Sequence, residues 1–300
     1  MRMPALLVVL AALALPACGS ATGPAPADPG EATPTDHVSL DEGLVGRGLL
    51  MQDSPGAAVE LCLGPSASSY PPQCGGPTLE GDFSWDQVEA QVEGDVTWTE
   101  EPYWVVGRYD PDDGSQGSFT LVRAPSTDPP AGWTAPEPTS VQFPQLCEDP
   151  TADVPEVDQV ARTAGAGGMT EEQALMELVR TLDGYVSSWV SDGGPTFNVV
   201  VSRDPEGARS SIRTVFSGPL CVEQRDLPTE VDVRAAQQAL LDRDDLRMTE
   251  LSSGVSGLLD VGVVVADTVT VEAIHDTVGD WLTPQQVVVR GELQPLRQGS

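Results

Sequence analysis

The chain has 300 residues, of which 46 are acidic and 15 are cationic, so its formal net charge at pH 7 is −31. All of the cationic residues are arginine, and the two histidines stand far apart in the sequence. A charge of this sign repels phosphate backbones, so we exclude nucleic acid as a partner and attribute the acidity to solubility.

The N-terminal segment has the form of an export signal. Arg2 is followed by the apolar run Ala5–Leu15, and small residues surround Cys18. A run of this length spans only about half of a bilayer core as a helix, so it predicts a signal peptide over residues 1–17. No later stretch has the roughly 18 consecutive apolar residues that a membrane-spanning helix requires.

Cys18 determines the kind of export. The sequence Leu15-Pro16-Ala17-Cys18 resembles the lipobox of bacterial lipoproteins. This resemblance implies that the Cys18 thiol carries a diacylglycerol, that cleavage precedes it, and that its new amine takes a further acyl chain such as palmitate. Two or three acyl chains hold a protein stably on a lipid bilayer. The alternative is ordinary cleavage near Gly19–Ala21, which would give a freely secreted protein.

Residues 18–42 form the predicted link between the lipid and the fold. They are rich in proline, alanine, glycine, threonine and acidic residues and cannot bury a core. We therefore expect a disordered tether that holds the protein at the outer face of the cytoplasmic membrane. His37 lies in this tether, and we assign it no functional role.

Residues 43–124 have strand character. Short apolar or alternating runs such as LVGRGLLMQ and YWVVGRYD are separated by turns rich in glycine, proline and aspartate. This pattern predicts a small all-β domain, either a partly open barrel or a small sandwich. The acidic stretch Tyr109–Phe119 is assigned to a hairpin loop, because it lacks the bidentate glutamate of a calcium loop. Trp85, Trp98 and Trp104 either fill the core or form a stacking surface for sugar or peptide.

Cys62, Cys74, Cys147 and Cys221 remain after export. Four cysteines in an exported protein predict two disulfides, for which three pairings are possible. The short loop between Cys62 and Cys74 favours a bond between these two, which leaves Cys147 to bond with Cys221. The second bond would tie the proline-rich linker of residues 125–168 onto the second half of the chain.

Residues 169–300 are predicted to form a ferredoxin-like domain. Thr170 and Gln173 make a capping box, and apolar residues at helical spacing extend the first helix to the DGG motif at 192–194. A second helix is predicted over residues 230–251. Two similar segments, beginning FNVVVS and DVGVVV, each read strand, helix, glycine, strand. A repeated βαβ unit with its helices on one face is the ferredoxin-like arrangement. The fold class is therefore α+β, a small disulfide-stapled all-β domain followed by a ferredoxin-like βαβ-repeat domain.

The sequence offers no catalytic constellation. His275, the only histidine outside the tether, lies in a predicted helix and is expected near its surface, without a nucleophile beside it. The SGVSGLL stretch lacks the last glycine of a nucleophile elbow and precedes a strand instead of following one. Clusters of metal ligands and CxxC motifs are absent from the sequence. We therefore expect no enzyme, no metal and no other cofactor.

The loop SSYPPQCGGP is the candidate binding site. It carries Tyr70, Pro71, Pro72 and Gln73 and is closed by the predicted disulfide, so it is expected to be rigid and exposed. The surrounding segment Glu60–Trp85 resembles one that recurs in exported actinobacterial lipoproteins, where LCLG, PPQC and GGP precede a tryptophan. The resemblance implies a location in the cell envelope. Because that family has no assigned activity, it implies no reaction.

The leading hypothesis from the sequence is a non-catalytic surface lipoprotein. The protein would serve as a binding or scaffolding module for an unknown protein or peptide of the cell envelope. Two alternatives stay open. One is a carboxylate-dependent hydrolase of cell-wall glycan, because acidic residues can supply the required pair. The other is the substrate-binding lipoprotein of a transporter, which would need two doubly wound lobes.

Overall fold

The first half of the chain folds into a closed β-barrel. The computed structural model describes residues 43–67, 69–131, 133, 142–152 and 170–296. The first strands in chain order are β1 (Leu44–Gln52), β2 (Val59–Cys62), β3 (Thr78–Glu80), β4 (Gln91–Glu93), β5 (Val96–Trp98), β6 (Tyr103–Asp110) and β7 (Ser118–Leu121). Pairs β1–β2, β2–β3, β3–β7, β7–β6 and β6–β1 close a ring of five strands, in which only β3–β7 is parallel. Of the two forms that the sequence predicts, a partly open barrel and a small sandwich, the structure is nearer the first, but its barrel is closed.

Alternation along β1 builds the barrel wall. Leu44 and Leu50 are fully buried in the barrel core with Phe119, whereas Arg47 between them is exposed. Leu44 and Leu50 share the inner face of the strand, and on its outer face Arg47 is exposed while Met51 is covered by Trp98. At Gly48 a Cβ atom would overlap the carbonyl oxygen of Cys62 on the neighbouring strand, so only glycine allows the two strands to approach this closely.

A hairpin extends the sheet beyond β1. Met51 of β1 pairs with Trp98 of β5, and β5 pairs with β4, which is the last strand of the sheet. Gly94 and Asp95 form the two-residue turn between them, and Gly94 has the positive φ of 62° that such turns demand. One edge of β4 is consequently unpaired among the described strands.

The second half consists of two units with the same order of elements, helix, strand, strand, helix, strand. The first unit comprises α1 (Glu171–Val179), β8 (Tyr185–Val190), β9 (Phe197–Val201), α2 (Pro205–Ile212) and β10 (Leu220–Gln224). The second comprises α3 (Glu230–Leu241), β11 (Met248–Ser253), β12 (Leu259–Val263), α4 (Thr268–Val278) and β13 (Val287–Gly291), and β14 (Gln294–Pro295) follows it. Each unit has its own three-stranded sheet, with one antiparallel and one parallel pair.

The predicted ferredoxin-like domain is therefore wrong, although the mixture of helices and strands and the two βαβ segments are present. A ferredoxin-like fold would place the strands of both segments in one sheet, but here they lie in two. The structure also differs from the prediction at the first strand of each unit, β8 and β11. The sequence pattern assigns the residues of these strands to the helices before them. Val186, Trp189 and Val190 have the spacing of a helix face, but they lie in a strand. Helix α1 ends at Val179. Gly184, with a φ of 71°, then turns the chain into β8.

Both predicted disulfides are present. Cys62 is bonded to Cys74, and Cys147 is bonded to Cys221, which is the pairing that the short loop favoured. The second disulfide joins the segment of residues 142–152 to β10 of the first unit. The buried Asn198 accepts a hydrogen bond from the backbone N–H of Leu146 at 2.9 Å, so part of the predicted linker is fixed to β9.

The second unit completes the core of the barrel. Val264, Val265 and Leu293 are buried in the same apolar cluster as Leu44 and the other inward side chains of the barrel. β14 pairs with the start of β1, and the backbone N–H of Leu296 donates to the carbonyl of Gly43 at 2.8 Å. The barrel and the second unit thus share buried apolar surface, which stabilises both.

Candidate functional site

The loop between Cys62 and Cys74, called the stapled loop below, is fixed from several sides. The disulfide joins its two ends, with the Cα atoms 5.5 Å apart. Within the loop, the backbone N–H of Ala67 donates to the carbonyl of Gln73 at 2.9 Å, and the Ser69 hydroxyl donates to the carbonyl of Pro71 at 2.9 Å. These bonds define a tight turn around Tyr70.

Tyr70 is the most prominent side chain of the stapled loop. It is 73% exposed, yet its ring contacts Trp98 edge to face, with the ring centroids 5.5 Å apart. Trp98 is 3% exposed and packs with Met51 and the disulfide on the outside of the barrel. Tyr70 is thus held on one side by a buried aromatic ring while its other side faces solvent.

The structure brings the four predicted loop residues together at one tip. Tyr70 and Gln73 are exposed, and Pro71 and Pro72 are partly buried. Sequence reasoning missed the supporting role of Trp98, because that residue stands on a different strand and its contact with the loop is long-range. The only signal available was an aromatic residue in a short alternating run.

The three tryptophans singled out from the sequence belong to separate contacts. Trp85 packs edge to face with Phe83, whereas Trp98 packs with Tyr70. Trp104 contacts Trp133 of the proline-rich segment, with ring centroids 4.8 Å apart. The guanidinium carbon of Arg47 lies 5.4 Å from the centre of the Trp104 ring on the adjacent strand. Trp104 is therefore already covered by a ring and a cation.

A polar cleft lies between the two units of the second half. Its volume is about 530 Å³, and its lining includes Arg180, Asp183, Tyr185, Arg203 and Asp232. Arg203 donates two hydrogen bonds to Asp183, at 2.8 and 2.5 Å, and these bonds lower the pKa of that carboxyl group. Asp232 caps α3 through Thr229, and burial raises the pKa of Tyr185. The polar groups of this cleft largely satisfy one another, and the Thr229 hydroxyl, which donates to the Asp232 carboxylate at 2.6 Å, belongs to the cap of α3.

The residues considered for catalysis are dispersed. His275 lies on α4, where partial burial lowers its pKa and the nearby Asp276 opposes that shift. The SGVSGLL stretch forms the turn between β11 and β12, in which the Ser256 hydroxyl accepts a hydrogen bond from the backbone N–H of Leu258. Over the described residues, no group of three or more histidine, cysteine or carboxylate side chains is arranged to hold a metal ion.

Several predictions lie outside the described residues. They are the signal peptide over residues 1–17, the lipid on Cys18 and the tether with His37. Among the helices in the described part of the chain, none is long and apolar enough to cross a membrane. Comparisons of the chain with protein-family models, curated protein sequences and solved structures found no match.

Proposed function

We propose that this chain is a membrane-anchored binding protein of the cell envelope, without catalytic activity of its own. In this proposal, acyl chains on Cys18 hold the protein at the outer face of the cytoplasmic membrane, and the stapled loop binds an envelope protein or peptide. The LPAC sequence supports the anchor. The exposed aromatic tip of the loop supports the binding role.

The observation that carries the proposal is that Tyr70 is exposed to solvent and yet held in place by Trp98. An exposed tyrosine on a flexible loop would lose conformational entropy when a partner binds. Here the disulfide and the Trp98 ring restrict the loop before any partner arrives. Rigid aromatic side chains with low ordering cost are typical anchors of protein interfaces.

The position of Tyr70 along the barrel also fits this role. Gly43, the first described residue, directly follows the proposed tether, whereas Trp98 pairs with Met51 near the far end of β1. At about 3.3 Å per residue, these two points are separated by roughly 25 Å along the strand. The binding tip would therefore stand away from the end of the fold to which the membrane anchor is joined.

The charge of the barrel disfavours one class of ligand. Five-stranded barrels with a Greek-key order commonly bind oligonucleotides or oligosaccharides on the face of their second and third strands. In this chain those strands carry Glu60 and Glu80, and the stapled loop folds back beside them. The pKa of Glu60 is raised by burial and by the negative charge of Asp53. Carboxylates at this face would repel a phosphate backbone, which supports a protein partner over a nucleic acid.

Anchoring is tested by replacing Cys18 with serine. We expect the native protein to fractionate with membranes and its N-terminal peptide to carry fatty acid by mass spectrometry. The Cys18→Ser protein should lack the lipid and be lost from the membrane fraction, because no thiol remains to be alkylated. A native chain that begins downstream of Cys18 without lipid would contradict the anchor.

Binding is tested by replacing Tyr70 with alanine in the full-length chain. Cross-linking in native membranes should give a partner with the unchanged protein, and the yield of that product should fall by about tenfold with Tyr70→Ala, as for a typical interface anchor. Val269→Ala is the matched control, because Val269 is 76% exposed and lies on α4. Equal cross-linking by all three proteins would argue against the stapled loop as the binding site.

A further inference from the structure

The docking surface around Tyr70 has a chemistry that specifies its partner. Resting on the binding role proposed above, we infer that this surface binds a cationic protein segment in extended conformation. The docking surface consists of the exposed side chains of Tyr70, Gln73 and Gln91, which is on the same face of the hairpin as Trp98, together with the unpaired edge of β4. Three observations support the inference: the open edge, its nearness to Tyr70 and the local charge.

The edge of β4 offers free backbone groups. Glu93 and Val96 flank the two-residue turn, so they form a hydrogen-bonded pair, and the next pair, Val92 with Thr97, is not hydrogen-bonded. The N–H and C=O groups of Val92 therefore point away from β5, toward the unpaired edge. The Val92 side chain is 66% exposed and lies on the face of the hairpin opposite Trp98. An extended segment added at this edge would gain two backbone hydrogen bonds and an apolar contact.

The edge and the aromatic tip lie next to each other. The Tyr70 ring contacts Trp98, and Trp98 is the cross-strand partner of Gln91 in β4. Paired strands are about 5 Å apart, so a segment added outside β4 would lie about 10 Å from β5 and Trp98. A long cationic side chain on that segment, such as lysine, would then be within reach of the exposed face of the Tyr70 ring.

The charge around this surface has one sign. Residues 48–107 contain ten carboxylate side chains and no arginine, lysine or histidine. These carboxylates are Asp53, Glu60, Glu80, Asp82, Asp86, Glu89, Glu93, Asp95, Glu100 and Glu101. All except Glu60 are exposed. Ion pairs such as Arg203 with Asp183 and Arg290 with Asp260 lie in the second half of the chain instead.

Strand register places several of these carboxylates close to Tyr70. Asp53 follows the pair of Gln52 with Thr97, Glu93 pairs with Val96, and Glu100 lies two residues beyond Trp98. Each is within about 10 Å of Trp98 by strand geometry, which is comparable to the screening length of physiological salt. A partner at this surface consequently experiences several unneutralised negative charges, so lysine or arginine on the partner is favoured and acidic segments are repelled.

The test uses a short peptide that alternates lysine with valine, titrated into the full-length chain in detergent at low and at physiological ionic strength. We expect saturable binding that weakens with salt. A peptide that alternates glutamate with valine should not bind. The lysine peptide methylated at every backbone nitrogen should also lose binding, because neither of its edges can then donate hydrogen bonds to a strand. Binding of the methylated peptide at full strength would overturn the extended mode.

Two double variants separate local charge from net charge. Asp53→Asn with Glu93→Gln removes two carboxylates beside the docking surface, and Glu272→Gln with Asp276→Asn removes two exposed carboxylates from α4. We expect the first pair to raise Kd by about fivefold at low salt, and the second to change it by less than about twofold. Equal effects would mean that net charge alone attracts the peptide, which would overturn the inference. The binding role proposed above is tested separately, by the loss of cross-linking in Tyr70→Ala, and would not be affected by such a result.

Discussion

Replacing Leu293 with alanine is expected to lower the free energy of unfolding by about 3 kcal/mol, within the range measured for buried leucines. Leu293 is fully buried in the barrel core, and its Cδ2 lies only 2.5 Å from where a Cβ on Gly46 would stand. Its backbone N–H donates to Val264 at 2.9 Å, so the second unit fixes its position. Leu293 packs among side chains of both the barrel and the second unit, so the alanine variant would leave a cavity between these two parts of the fold.

Urea titration followed by tryptophan fluorescence and by far-ultraviolet circular dichroism measures this change. Leu241→Ala is the control, because Leu241 lies at the end of α3 and is 60% exposed; we expect it to change stability by less than about 0.5 kcal/mol. Both probes should shift together in Leu293→Ala, since the barrel and the second unit share a core. If the two probes gave separate transitions in Leu293→Ala, the barrel and the second unit would unfold independently of each other.

Removing the Cys147–Cys221 disulfide is expected to lower the free energy of unfolding more than removing the Cys62–Cys74 disulfide. The bond closes a loop with a sequence separation of 74, whereas Cys62 and Cys74 are separated by 12. Loop-closure entropy predicts losses of about 4.5 and about 3 kcal/mol, respectively. Removing the bond that closes the longer loop lowers stability more, because that bond excludes more conformations of the unfolded chain.

The double serine variant of each pair allows the comparison, with the Cys62/Cys74 variant as the reference. Loss of the Cys147–Cys221 bond should also release residues 142–152, so hydrogen exchange at the Leu146 amide should increase. That amide is bonded to Asn198, and the indole of Trp189 donates to the carbonyl of Pro144 at 2.8 Å. If the variant without the long bond were as stable as the one without the short bond, the chain-entropy account would be wrong for this protein.

Local patterns account for the parts of the fold that the sequence predicted. Alternating runs between turn residues indicated four of the five barrel strands, but not the short β3, and the FNVVVS and DVGVVV segments indicated the two parallel βαβ pairs. β8 and β11 were missed because apolar residues three and four apart fit a helix and a strand with a bulge alike. In the second unit the change of direction occurs at Arg247, with a φ of 47°, and an arginine gives no turn signal.

Long-range contacts account for what the sequence could not show. The loop containing Tyr70 was recognisable from prolines and flanking cysteines, but its support by Trp98 depends on strand pairing. The same holds for Trp133, which lies in a proline-rich segment and nevertheless contacts Trp104. Leu293 gave no signal either, because a single leucine after a strand does not reveal which core receives it.

The pairing of β1 has a mechanical consequence. This strand is hydrogen-bonded to four others, β2, β5, β6 and β14, and it begins directly after the first described residue, Gly43. A pulling force applied through Gly43 would load this strand first, and its release would require several ladders to rupture together. Resistance to such a force depends on the height of the unfolding barrier and not on equilibrium stability. The strand that receives the load is therefore also the one whose extraction would dismantle the barrel.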